Sequence, residues 1–95
     1  MITTQIIFKD THHFIELFYE GEKAGYIEFT KDTIGNIDIE HTIVDSNFGG
    51  KGLGKELVLA AVEYAKKENI KIKTTCPFAK KVFEKTVEIQ EFWFN

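Results

Sequence analysis

Glycine fills four of the six positions from Gly49 to Gly54, and lysine stands at 51 and 55. Glycine lets a backbone turn sharply and lie close to a ligand. A helical apolar period begins at this segment, and the first amides of a helix have no internal partners. Those amides and the helix dipole favour an anion, phosphate above all. Lys51 and Lys55 add positive charge. A flexible connector is the simpler explanation, but two glycines suffice for that. The run from Gly49 to Gly54-Lys55 has the spacing of a Walker A loop, yet Glu56 stands where Ser or Thr must hold magnesium. A carboxylate there repels nucleotide phosphates. A dinucleotide fingerprint fails as well, because Gly-x-Gly-x-x-Gly is not matched in register.

Three other side chains invite chemistry. Cys76 is the single cysteine, and Pro77 follows it. Proline suits the first turn of a helix, so Cys76 falls at or near an N-cap, where dipole and free amides favour a thiolate. A small buried residue is an equal reading. On strict alternation His41 shares a strand face with Ile37, Ile39 and Ile43. That suits a core histidine, and equally a base that titrates near neutral pH. Glu40 takes the opposite face unless a bulge intervenes, and stands in reserve as a base. His12 and His13 lie at a strand start or turn with no evident partner. Lys66, Lys67, Lys71 and Lys73, then Lys80 and Lys81, read by default as a solvated face.

The elements that must position these groups fall into two halves. The first carries strand signals: Ile2 to Phe8, Phe14 to Tyr19, Ala24 to Thr30 and the alternating Ile37 to Val44. Glu20-Gly21-Glu22-Lys23 and Asp32 to Asn36 read as turns, so the four strands form an antiparallel meander. From Gly50 the period becomes helical, with Leu53, Leu57, Val58, Ala61, Val62 and Ala65 on one stripe. This helix should stop near Glu68, with Asn69 as a left-handed cap. Ile70 to Thr75 is a short strand, Pro77 to about Lys85 a second helix, and the aromatic tail Val87 to Phe94 should pack back on the sheet. The order is β-β-β-β-α-β-α, an α/β chain (α+β by some schemes) with one mixed sheet. A strand, a helix and a returning strand make a right-handed crossover, so the fourth and fifth strands should be parallel. Ligands of such sheets sit outside the carboxyl ends of the strands.

Composition sets the outer limits. Ninety-five residues, 43% hydrophobic and 28% charged, make one ordinary globular domain spanning 1–95. A formal net charge of −3 argues against a general nucleic-acid binder. One cysteine excludes an intrachain disulfide, and no run suits a signal peptide or a bilayer span; a cytoplasmic location with no membrane partner is expected. No metal site is expected.

The loop, its position and two short motifs resemble one family. GCN5-related N-acetyltransferases carry Gln/Arg-x-x-Gly-x-Gly/Ala at such a strand–helix junction. Gly49-Gly50-Lys51-Gly52-Leu53-Gly54 is similar at Gly52 and Gly54, with Gly49 in the first position. His41-Thr42 in the fourth strand and Cys76-Pro77-Phe78 after the fifth resemble a compact group of this family, which lacks the amino-terminal helices of full-size members. The resemblance implies acetyl-CoA or coenzyme A as cofactor, with its pyrophosphate on Gly49, Gly50, Lys51, Gly52, Leu53, Gly54 and Lys55. It lays the pantetheine arm along Thr42, Ile43 and Val44, beside Phe78, and offers Lys80 and Lys81 to the ribose phosphate. Cys76 then becomes a nucleophile that takes the acetyl group, with His41 as base for Cys76 or for the incoming amine. Many members protonate the departing thiolate with a tyrosine in the last helix; here the ring is Phe83. The function implied is acetyl transfer to a small-molecule or protein amine. The alternative is a non-catalytic acyl-CoA-binding or protein-interaction module. The aromatic tail can bury itself or a neighbour's surface, which leaves a homodimer open.

Overall fold

Three hairpin connections set the first half. In the computed structural model, which describes residues 1–94, β1 (Ile2–Ile7), β2 (His13–Tyr19), β3 (Glu22–Lys31) and β4 (Ile37–Val44) form the antiparallel meander. Glu20 and Gly21 join β2 to β3 at φ 51° and 85°, the left-handed pair that matches the twist of a tight hairpin. Between β3 and β4, the Asp32 carboxylate accepts from the amides of Ile34 and Asn36 at 3.0 and 2.9 Å. A 3-10 turn, Ser46–Phe48, then leads to α1 (Leu53–Glu68). β5 (Ile72–Thr74) joins the sheet parallel to β4, and α2 (Pro77–Lys85) and a second 3-10 turn (Val87–Phe92) follow.

The sheet order is β1-β2-β3-β4-β5. Its inward residues Ile15, Leu17, Ile27, Phe29, Ile37 and Ile39 join Leu57, Val58, Ala61, Ala65, Ala79 and Phe83 of the two helices in one core. Each large aliphatic or aromatic side chain buried there contributes about 1.5–3 kcal/mol. The opposite face, with Phe14, Glu16, Tyr26 and Glu28, is only half-buried.

α1 begins three residues later than the apolar period suggested. Gly50 and Gly52 sit at φ 79° and 74°, outside the helical region, so the helix starts only after Gly52 as N-cap. Asn69 ends it in the left-handed conformation, its amide donating to Ala65 O. The tail does return to the sheet: Trp93 bridges Ile72, the Phe94 amide donates to Ile72 O at 2.7 Å, and Trp93 Nε1 donates to Thr74 Oγ1 at 3.0 Å.

The face assignment of His41 needs correction. Phe29 pairs with Ile39, but Glu28 pairs with His41, so Glu40 is an extra residue, a bulge. Past it the alternation changes phase. Ile37 and Ile39 point inward before the bulge, and Thr42 and Val44 after it, while His41 and Ile43 are exposed on the opposite face. The same position ends the pairing of β4 with β5, whose last partners are Ile39 and Thr74.

Candidate active site

The end of β5 is tied to β4 before the chains part. The Asp38 carboxylate accepts from the Thr75 amide at 3.0 Å and the Thr75 hydroxyl at 2.7 Å, and the Cys76 amide donates to Ile39 O at 2.9 Å. Pro77 then turns the chain into α2. Beyond Ile39 the edge of β4 therefore faces a gap, not a strand. The Asp45 amide donates to Ala24 O on β3, so by the two-residue period Val44 and Thr42 direct their N–H and C=O groups to the open edge.

That gap is a cleft of about 570 Å³. Thr42 and Val44 form one wall, Phe78 and Val82 of α2 the other, and the glycine loop with Phe48 closes one end. The loop is held from below. Phe48 meets the Tyr19 ring edge-on at 6.0 Å, and Lys51 Nζ lies 5.0 Å from the centre of the same ring. No side chain caps α1 at Gly52, and its first intrahelical bond runs from Glu56 N to Gly52 O. Among the described residues no backbone or side-chain acceptor meets the amides of Leu53, Gly54 and Lys55, which line the cleft. Gly50 and Gly52 have open space where a Cβ would lie. Three free donors at the positive end of a sixteen-residue helix, beside Lys55, make a cradle for an anionic oxygen.

Cys76 is the N-cap of α2 and is 5% exposed. Its Sγ lies 3.4 Å from Thr42 Oγ1, so the thiol borders the cleft through the threonine that lines it. The Phe78 ring leans over Gly54 and is 44% exposed at the mouth.

The expected site residues therefore divide. Thr42, Val44, Gly49, Gly50, Gly52, Leu53, Gly54, Lys55 and Phe78 come together in the cleft, with Cys76 behind Thr42. His41 and Ile43 do not join them, since the bulge turns both to the other face; His41 is not brought to Cys76. Lys51 is drawn to the Tyr19 ring. Lys80 borders a separate polar hollow with Asp38, Thr75 and Trp93, and Lys81 is exposed outside the cleft. Phe83 is fully buried and stacks on Trp93 at 5.6 Å, so it is core and no counterpart of a cleft phenol. Two lining residues were missed. Val82 follows Phe78 by one helical turn, a spacing that puts both on one face. Phe48 immediately precedes the glycines, and only its contact with Tyr19 shows its role.

Residues 14–92 match the family model of GCN5-related N-acetyltransferases. The chain belongs to this family. No protein of curated function matches it. Among solved structures, a GCN5-like protein from Staphylococcus aureus is 32% identical, with a TM-score of 0.67 over 96% of this chain and 88% of that one. Ribosomal-protein-alanine N-acetyltransferase from Brucella melitensis shares the fold at 17% identity and TM-score 0.67, over 80% of this chain and 61% of that one. A protein from Bacillus anthracis in complex with acetyl coenzyme A is 26% identical, with TM-score 0.52, over 64% of this chain and 35% of that one. The chain thus spans under two thirds of the length of the Brucella and Bacillus proteins. For the family the mixed five-stranded sheet, with its single parallel pair, is the shared frame.

Proposed function

We propose that the chain binds acetyl-CoA in the β4–α2 cleft and transfers the acetyl group to an amine. The observation that carries the reading is the coincidence of an uncapped α1 N-terminus with an open β4 edge in one cleft. The amides of Leu53, Gly54 and Lys55 bind the pyrophosphate, and Lys55 adds charge. Thr42 and Val44 offer free backbone donors and acceptors to the two amide groups of the pantetheine arm, in the manner of an added strand. The apolar wall of Phe78 and Val82 excludes water from the arm. The cofactor supplies an acetyl thioester, an electrophilic carbonyl with a thiolate leaving group.

Cys76 is the acceptor nucleophile on the protein. Its Sγ–carbonyl bond forms as the thioester C–S bond breaks, and the Sγ proton goes to the coenzyme A sulfur. The amine then attacks the acetyl carbon, the Sγ–C bond breaks, and the amine proton returns to Sγ. Thr42 Oγ1, at 3.4 Å, orients the thiol. Supporting this route over direct transfer, the described residues that line the cleft include no carboxylate, histidine or phenol to serve as acid or base. The same observation favours a second reading, a module that binds acyl-CoA without turnover.

Mass spectrometry after incubation with acetyl-CoA separates them. One acetyl adduct that disappears in Cys76→Ala supports the covalent route. Binding of coenzyme A without an adduct or an acetylated amine supports the module. Stabilisation in thermal-shift assays by ATP or NAD but not by coenzyme A sinks both.

A further inference from the structure

The face of the sheet away from the helices carries a second constellation, independent of the cleft. His12 from the β1–β2 connection, Glu28 of β3 and Glu40 of the β4 bulge bring one ligand atom each to within 4.8 Å of one another. We propose that these three residues bind a divalent cation of borderline character, zinc or cobalt, in preference to magnesium.

His12 Nε2 lies 3.8 Å from Glu28 Oε2 and 3.7 Å from Glu40 Oε1. A tetrahedral ion with bonds of about 2.0–2.1 Å holds its ligand atoms roughly 3.4 Å apart. Nε2 therefore needs to close on each carboxylate oxygen by only a few tenths of an ångström, and the ligand atoms of the three residues already lie within 4.8 Å of one another. Two are already held by groups outside the triad. His12 Nδ1 lies 3.2 Å from Thr11 Oγ1, so a proton there leaves the Nε2 lone pair for the ion. Glu40 Oε2 accepts from Thr30 Oγ1 at 3.3 Å, leaving Oε1 free to face His12. Such outer partners are what a ligating imidazole and carboxylate require. One imidazole and two carboxylates suit zinc or cobalt, whereas magnesium prefers an all-oxygen octahedron. A fourth position falls to water, since the His12 side chain is 49% exposed. Bound there, the ion pins the β1–β2 connection to the centre of the sheet. No sequence spacing marks the site, because its ligands are drawn from three separate segments and the bulge sets the direction of Glu40.

The ordinary alternative is a histidine bridging two carboxylates with no ion. Calorimetric titration of the metal-free full chain with Zn²⁺ decides. The expected result is one ion per chain, unaffected by excess Mg²⁺ and retained in Cys76→Ser, with affinity lowered about tenfold or more in His12→Ala and Glu40→Gln. Thr30→Val, which touches no ion, lowers it less. Circular dichroism checks that the half-exposed His12→Ala variant keeps its fold. No uptake, uptake unchanged by His12→Ala, or uptake abolished by Cys76→Ser overturns the proposal; displacement by Mg²⁺ overturns its selectivity.

Discussion

Gly54 tests whether the cradle and the wall of the cleft are one structure. A Cβ added there would meet Phe78 Cζ at 2.7 Å and Cε2 at 2.9 Å, closer than carbon atoms approach. Something must yield in Gly54→Ala, and the atoms in the way are the far end of a side chain that is 44% exposed. The Phe78 ring therefore swings outward instead of α1 separating from α2. Losing part of a half-buried phenylalanine contact costs about 1 kcal/mol. Replacing glycine by alanine in a helix returns about the same amount. Stability should stay within about 1 kcal/mol of the parent, a melting shift no larger than roughly 4–8 °C for a domain of this size. Binding should change far more. The new methyl group crowds the anion's approach to the Gly54 amide, and losing one hydrogen bond to a charged oxygen costs about 1.5–3 kcal/mol. Coenzyme A affinity, measured by calorimetry, should fall about ten- to hundredfold. In a double-mutant cycle with Phe78→Ala, the stability cost of Gly54→Ala should vanish and the helix gain of about 1 kcal/mol remain. Unchanged affinity in a folded Gly54→Ala protein would refute the cradle, and a large loss of stability would refute the yielding ring.

Other outcomes follow from single contacts. His13 is 8% exposed, accepts from the Lys9 amide at 3.1 Å, and is held below the ordinary 6.5 by burial first and then by the charges of Lys31 and His12. The unfolded chain thus takes up a proton that the folded chain refuses, so His13 lowers stability as pH falls from 6.5 to its depressed folded value. The slope is at most about 1.4 kcal/mol per pH unit, flattening below the folded value; urea titrations should show it reduced in His13→Gln. Asn69 caps α1 at φ 57°, so Asn69→Gly should stabilise by a few tenths to about 1 kcal/mol in the same assay. Asp38→Ala removes both acceptors of Thr75. It should cost about 2–3 kcal/mol and speed amide exchange at Thr75 and Cys76, measured by hydrogen exchange.

The order of elements was legible because periods of two and of 3.6 alternate cleanly along the chain, with Gly21, Asn69 and Pro77 marking ends. The glycine loop was legible too, though its glycines serve unlike ends: Gly50 and Gly52 for backbone angle, Gly54 for the space under Phe78. What sequence hid was decided between segments. Strict alternation put His41 beside Ile39, and only the pairing with β3 reveals the extra residue at Glu40. Phe83 looked like a cleft ring until Trp93, ten positions later, folded against it. His12 lacked a partner because its carboxylates lie sixteen and twenty-eight residues away.

The bulge at Glu40 brings odd-numbered and even-numbered residues of one strand to the same side of the sheet. Odd-numbered Ile37 and Ile39 build the core and even-numbered Thr42 and Val44 line the cleft, all from the same side of the sheet. The number of residues between Ile39 and Thr42 matters more than their kinds. Removing Glu40 leaves one residue in that interval, and a regular strand then also turns Ile39 and Thr42 the same way. Removing both sends Thr42 and Val44 to the far side. Length variation at this point of β4 should therefore be tolerated in single steps of one kind only, a constraint on loop grafting and homologue recombination that substitutions alone would never expose.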